Sequence, residues 1–231
     1  MNVTFIAHSA FLVEWDKFYT LFDYTYEPDY TGALPELSGD KPLLVFSSHS
    51  HEDHFDAKVF TLLEKNPGAR FFVSRGTRLT ERKRQWLNIS DAAFARTTVL
   101  RPDSILLTDV AGEDLSIRAI KSTDIGNAYL LRCEGKMVYH GGDLNWWDWK
   151  SEGEAYCNNM AAHYRAAIEK LAAAVENEAT DNAIAPEITA AMAPLDPRLG
   201  EGSEGLGIEE LMRQIKVQHV FPMHMWKKYE V

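Results

Sequence analysis

Ser47-Ser48-His49-Ser50-His51-Glu52-Asp53-His54 is the stretch that decides how this chain of 231 residues is read. Three imidazoles and Asp53 stand within it, directly behind the apolar run Pro42–Phe46. That run has the length and the β-branched or aromatic content of a buried strand, so the histidines fall on the loop where the strand ends. Imidazole and carboxylate suit Zn²⁺, and also Fe or Mn. Neighbouring residues on one loop cannot all face one ion, and ligands this dense point to two adjacent ions. A solvated polar loop is the competing account, but loops seldom concentrate histidine in this way.

Outward from this loop, further motifs follow in order. Asp23 ends the apolar run Tyr19–Phe22, Asp143 closes His140-Gly-Gly-Asp143, and His224 closes Phe221-Pro-Met-His224. With His-x-His-x-Asp-His standing as His49, His51, Asp53 and His54, the chain resembles the metallo-β-lactamase-fold hydrolases. The resemblance runs along nearly its whole length. It implies that Asp23 braces the metal loop from behind. It also implies that His49 and His51 hold a first ion, that Asp53, His54 and His224 hold a second, and that Asp143 bridges them. One or two zinc ions are the implied cofactor. His51, where an iron-binding redox branch of the fold carries a carboxylate, favours zinc and hydrolysis by a metal-bound hydroxide, with Asp53 orienting the nucleophile and passing a proton to the leaving group.

The third motif departs from the family. No histidine occurs between His54 and His140, and the expected place reads Lys121-Ser-Thr-Asp124-Ile-Gly126. Either Asp124 takes the ligand role, or Ser122 or Thr123 holds a water. A weak or empty first position is the favoured expectation over direct ligation by Asp124. His8, in His8-Ser-Ala-Phe11, matches the placement seen in the branch that resembles L-ascorbate 6-phosphate lactonase. The resemblance gives His8 a catalytic place near the metals, against the alternative of a capped turn residue.

Around these ligands, Trp146, Trp147 and Trp149 follow Asp143 and Trp226 follows His224, and such rings wall a pocket or pack core. Arg198, on the proline-stiffened loop Leu195–Gly200, either grips a substrate carboxylate or phosphate or pairs with Asp196 to pin the loop. The expected substrate-binding residues are Arg198, Trp146 and Trp147. His140, His163 and His219 read as structural, and Glu52 as a solvent-facing spacer.

Length and 45% hydrophobic content fit one domain, residues 1–231, with a full core. A net charge of −10 works against a nucleic-acid partner. The basic cluster Arg75–Arg84 reads as a solvated helix face. No apolar run approaches the ~20 residues of a membrane helix, and the start of the chain shows no signal-peptide pattern. Cys133 and Cys157 read as buried small hydrophobes in a reducing compartment. The expectation is a cytoplasmic, zinc-dependent hydrolase of a small anionic lactone, ester or phosphoester, with self-association left open. The alternatives are a metal phosphodiesterase, or a degenerate member that binds metal or ligand without turnover.

The pattern of elements predicts an α/β fold, a four-layer αββα sandwich. Strands are expected at Val3–Ala7, Phe11–Trp15, Phe18–Phe22, Leu43–Phe46, Arg70–Ser74, Thr97–Thr108 and Leu115–Ile120. A hairpin should join Asn127–Cys133 to Lys136–His140 through Glu134-Gly135. Further strands are expected at Ile188–Ala193 and Gln218–Phe221. Helices are predicted at Ala57–Lys65, ending at Asn66–Gly68, at Ile208–Lys216, and along an apolar face of Tyr156, Met160, Tyr164, Ile168, Leu171 and Val175.

Overall fold

The structure, a computed structural model, describes residues 1–66 and 68–230. Pro67, part of the expected helix stop, lies outside the described residues. Two six-stranded sheets face each other. The first runs in sequence order: β1 (Asn2–Ala7), β2 (Ala10–Glu14), β3 (Tyr19–Phe22), β4 (Leu43–Ser47), β5 (Arg70–Ser74) and β6 (Thr97–Leu100). Strands β1 to β3 form an antiparallel meander, and β3 to β6 are parallel. The second sheet holds β7 (Ile105–Val110), β8 (Glu113–Lys121), β9 (Asn127–Cys133), β10 (Lys136–His140), β11 (Glu187–Pro194) and β12 (Lys216–Met223), with its last three strands parallel.

Both faces of each sheet are covered, and the two-residue alternation shows how. On β2, Phe11 and Val13 enter the layer between the sheets, while Ala10 and Leu12 face the outer helices. On β9, Tyr129, Leu131 and Cys133 point inward and Ala128 and Leu130 outward. Strands buried on both faces read as unbroken apolar runs, as Pro42–Phe46 does. Phe46 is fully buried, and removing such a ring from water contributes about 1.5–3 kcal/mol. The outer layers are α1 (Phe60–Lys65) and α3 (Asp91–Ala95) on the first sheet, and α4 (Glu154–Asn182) and α5 (Leu206–Gln214) on the second. The chain therefore folds as an αββα sandwich.

Three local expectations are corrected. Thr97–Thr108 is two strands, because Pro102 lacks a backbone donor and Asp103 takes φ 58°; the chain turns there from one sheet to the other. The helix near Ala57 is a 3₁₀ turn at Ala57–Val59, capped by the Asp56 carboxylate, that runs into α1. The helix expected to reach Lys216 stops at Gln214, since Ile215 is extended and Lys216 already pairs with Glu187 on β11. The Glu134-Gly135 hairpin forms with both residues at positive φ, 48° and 68°, the pair of angles a type I′ turn needs. A short further helix, α2 (Glu81–Trp86), carries Arg82, Lys83 and Arg84 of the basic cluster, where Arg84 pairs with Glu81 and Asp91; Arg75 and Arg78 stand before it, in and just after a 3₁₀ turn.

Buried Glu178 fixes α4 to its sheet. Its carboxylate accepts from Ser116 Oγ at 2.7 Å, Arg118 Nε at 2.5 Å and Arg132 Nε at 3.1 Å. The first turns of α4 do something else: Tyr156 and Met160 are only half-buried and line a cavity rather than core. No helix among the described residues is long and apolar enough to cross a membrane.

Candidate metal centre

Parallel strands deliver their carboxyl ends to one edge, where ligands of open α/β sheets bind. Here β3 ends in Asp23, β4 in the His-rich loop, β10 in Gly141–Asp143, β11 in the Asp196 loop and β12 in His224. The first sheet thus supplies His49, His51, Asp53 and His54, and the second supplies Asp143 and His224. The turn after β1 adds His8.

The imidazoles are aimed from behind. Asp23 is buried and accepts from the Ser48 backbone N–H, the Ser48 hydroxyl and His54 Nδ1, each at 2.7 Å. With its proton given to Asp23, the Ser48 oxygen accepts from His49 Nδ1 at 2.9 Å. Asp196 accepts from His224 Nδ1 at 3.0 Å. In all three rings Nδ1 is engaged, so Nε2 points into the site, as outer partners of metal-binding histidines require. Tyr129 Oη donates to the Ser47 carbonyl at 2.8 Å and ties the loop to the second sheet. Close approach decides two glycines. A Cβ on Gly126 (φ 85°) would stand 2.0 Å from the Ser48 carbonyl oxygen, and one on Gly142 (φ 52°) 2.6 Å from Ser48 Cβ.

The inward atoms form two groups, each with all its donor atoms within 4.8 Å: His8, Asp53, His54 and His224, and beside them His49, His51 and Asp143. Asp143 lies between the groups. Its Oδ2 is 3.3 Å from His49 Nε2, while its Oδ1 is 3.1 Å from His54 Nε2 and 3.6 Å from His224 Nε2. His49 Nε2, His54 Nε2 and Asp143 Oδ1 are buried with no hydrogen-bond partner among the described residues. They approach one another closely without forming hydrogen bonds, and polar atoms converging this way on one buried spot mark the place of a cation.

Charge says the same. Burial opposes ionisation of Asp143, but His54 and His49 hold its carboxyl well below the usual carboxylate range. Burial likewise opposes the charge on Asp53, which His224, His54 and His8 keep ionised. His54 is pushed the other way: against burial, Asp143 and Asp23 raise it well above an ordinary imidazole. His224 is raised against burial by Asp196 and Asp53, whereas burial lowers His8. The carboxylates demand positive charge here, and a divalent ion supplies it when it displaces those protons. The residues present therefore fit the metal that the motifs imply.

A cleft of about 770 Å³ opens above these donors. His51, Asp53, Asp143 and His224 form its floor, and Tyr30, Trp147, Trp149, Tyr156 and Trp226 wall it. Glu52 and Asp124 stand exposed at its rim. Asp124 joins neither donor group; its backbone N–H is held by Ser122 Oγ at 3.1 Å. Arg198 lines the cleft and also pins the loop, with Nε 2.9 and 3.0 Å from the two Asp196 oxygens. Its guanidinium lies 4.0 Å from the Trp226 ring centre and 5.6 Å from that of Trp149. Trp146 lies away from the cleft, turned onto α4 with Arg165 4.4 Å from its ring centre. His140 is buried core: it stacks on Phe22, bonds the Ser9 carbonyl through Nε2 and accepts from Gly142 N–H through Nδ1. His163 and His219 are exposed on the surface, outside both groups.

Sequence reasoning did not single out Asp196 as the partner that orients His224, nor Tyr30 and Tyr156 as walls. An acid placed two residues beyond β11, at the edge where the other ligands emerge, is the signal for the first. Tyr30 lies in the irregular stretch before β4 and carries no such signal.

Comparison with known proteins bears on the family and the fold. The family described as "Beta-lactamase superfamily domain" matches residues 2–150. A UPF0173 metal-dependent hydrolase of Korarchaeum cryptofilum is 28% identical over 166 residues, covering 70% of this chain and 68% of that protein. Igni18, a metallo hydrolase from Ignicoccus hospitalis, superposes with TM-score 0.54 at 20% identity, over 96% of this chain and 81% of its own. CmlA, a diiron β-hydroxylase from Streptomyces venezuelae, superposes with TM-score 0.56 at 9% identity, over 96% of this chain and 44% of its own. These two likenesses are of fold. The family match spans more than half of the sequence, and the chain belongs to the metallo-β-lactamase superfamily of metal-dependent hydrolases.

Proposed function

We propose that this protein is a zinc-dependent hydrolase of a small anionic substrate with a lactone, ester or phosphoester bond. The observation that carries the reading is the convergence of His49 Nε2, His54 Nε2 and Asp143 Oδ1, buried and not hydrogen-bonded among the described residues, beneath an open cleft. His49, His51, Asp53, His54, Asp143 and His224 would hold the metal. Metal bound there would acidify water and polarise the carbonyl or phosphoryl oxygen next to the atom under attack.

The chain's own residues do the rest. Asp53 faces the cleft, where it can orient the attacking water and pass its proton to the leaving oxygen. His51, exposed on the cleft floor, stands where the scissile group must lie. The aromatic walls limit how the substrate can turn. An anionic substrate is supported by the metal charge and by the Arg198 edge at the cleft, since Nη1 has no partner among the described residues.

The test is a screen of the zinc-loaded protein against lactones, carboxyl esters and phosphodiesters, with the chelated protein and His51→Ala as controls. Turnover of one class, lost on chelation and in the variant, is expected. Activity on phosphodiesters alone narrows the reading to a phosphodiesterase. Full zinc content with no turnover of any class would leave a binding role in its place.

A further inference from the structure

His8 is not among the donors that the motifs supply, yet it sits in the donor shell. Asp53 Oδ2 lies 3.1 Å from His8 Nε2, 3.4 Å from His54 Nε2 and 3.5 Å from His224 Nε2. The donor atoms of all four residues lie within 4.8 Å of one another. Four donors bound ~2.05 Å from one ion stand ~3.3 Å apart at the corners of a tetrahedron, and the three measured edges bracket that value. A hydrogen bond between His8 and Asp53 accounts for only one of these edges, and it leaves buried His54 Nε2 without a hydrogen bond among the described residues.

The backbone is held to this arrangement. His8 takes φ 46° and His224 φ 64°, and the His224 N–H donates to the His8 carbonyl at 3.1 Å. A residue other than glycine in that region costs about 1–3 kcal/mol and persists where its surroundings require it. The two rings are brought to 4.4 Å between centres. The neighbouring group is poorer by comparison. It has His49, His51 and Asp143, no third histidine, and Asp124 outside it.

We propose that His8 is a direct metal ligand. It makes the position of Asp53, His54 and His224 a closed site of three imidazoles and one carboxylate. The assignment rests on the metal-dependent reading above. Zinc sites with four protein donors are closed and structural, whereas three protein donors leave a place for water or substrate. The division of labour follows: the position with His8 retains its ion, and the position of His49, His51 and Asp143 exchanges its ion readily and meets the substrate. The histidine missing from the third motif is thus offset by one gained at the chain's first turn, on the other ion.

X-ray absorption at the zinc edge of the full chain loaded with one equivalent of zinc tests this directly. Three imidazoles around the ion are expected, and two would overturn the assignment. His8→Ala and His8→Gln are read in parallel by chelator competition. Removing a partner that only orients a ligand lowers affinity ~10–100-fold. A loss of ~100-fold or more in the first equivalent, with weaker visible bands of the cobalt(II) form, is expected of a lost ligand. A smaller loss with unchanged cobalt bands would overturn the proposal. Unfolding of the metal-free variants in urea separates a folding defect from a binding one, and the imidazole count in the unaltered chain does not depend on either variant. If the unaltered chain takes up neither zinc nor cobalt, the hydrolase reading falls as well. If it binds zinc through two imidazoles, only the place of His8 falls.

Discussion

Replacing Asp196 by alanine should separate the support of a ligand from the ligand itself. Its buried carboxylate accepts from the Arg198 backbone N–H at 2.9 Å, His224 Nδ1 at 3.0 Å and Trp226 Nε1 at 3.1 Å, besides its pair with the Arg198 side chain. Burial opposes its charge, but His224 and Arg198 hold it well below the usual carboxylate range. The Arg198 side chain is 41% exposed, so water replaces that pairing at small cost. The buried His224 N–H has no water to turn to, and leaving it unpaired costs about 1–3 kcal/mol. Loss of the cap on the 3₁₀ turn at Pro197–Leu199 adds about 1 kcal/mol. Asp196→Ala should therefore lower the stability of the metal-free protein by about 2–4 kcal/mol, read by urea unfolding. A freed His224 ring should in addition weaken zinc binding ~10–100-fold by chelator competition. Asp196→Asn keeps a capping oxygen but turns an amide toward two donors, so it should recover stability more than zinc affinity. If Asp196→Ala binds zinc within about threefold of the unaltered chain while His224→Ala does not, Asp196 does not orient His224 and the reasoning fails.

Glu178→Gln should cost about 2–4 kcal/mol at neutral pH, because it leaves half-buried Arg118 and Arg132 facing a buried neutral amide. Against burial, Ser116, Arg118 and Arg132 lower the Glu178 carboxyl. Its contribution is thus present above the unfolded value of about 4.3 and is lost as pH falls through the folded one. The difference between variant and parent in urea unfolding should shrink below about pH 4, and a constant difference would refute it. Gly126→Ala forces a Cβ 2.0 Å from the Ser48 carbonyl oxygen and displaces His49, so both the unfolding midpoint and zinc stoichiometry should fall. Asp124→Ala should leave zinc stoichiometry unchanged, since Asp124 is exposed at the rim and joins neither donor group; loss of one ion would show it to be a ligand. Zinc at 100 times its dissociation constant should stabilise the fold by about 2.7 kcal/mol, and a smaller shift in thermal unfolding would mean that the unfolded chain binds it too.

Particular residues show why much of this was legible in the sequence. Pro42–Phe46 is apolar without alternation because both its faces are buried, and a strand of that kind must lie inside layers. The His-rich loop behind it then had to stand at a strand end. What escaped the reading depended on contacts between distant residues. The break at Arg101–Asp103 looks like the middle of one strand until the two sheets on either side of it are known. Tyr156 and Met160 keep the helical spacing of the core face of α4, but they precede Ala161, the first buried residue of the helix, and line the cleft instead. Trp146 and Trp147 are adjacent in sequence and take opposite sides, one onto α4 and one toward His224, with ring centres 5.7 Å apart in the second case.

The two sheets also explain why this centre has no single motif. His49, His51, Asp53 and His54 come from the first sheet, Asp143 and His224 from the second, and His8 from the turn that joins the first two strands. Asp143 Oδ1 and Oδ2 reach across the interface to His54 and His49, so the donors meet only when both sheets are packed. Tyr129 and the glycines at 126 and 142 set that spacing from the second sheet, by a hydrogen bond to Ser47 and by close backbone approach to Ser48. An ion bound there crosslinks the sandwich at the edge where the hydrophobic layer between the sheets ends. Binding and packing are then one equilibrium: whatever separates the sheets releases the metal, and the residues that hold the loop at the right distance are ligand-positioning residues without touching the ion.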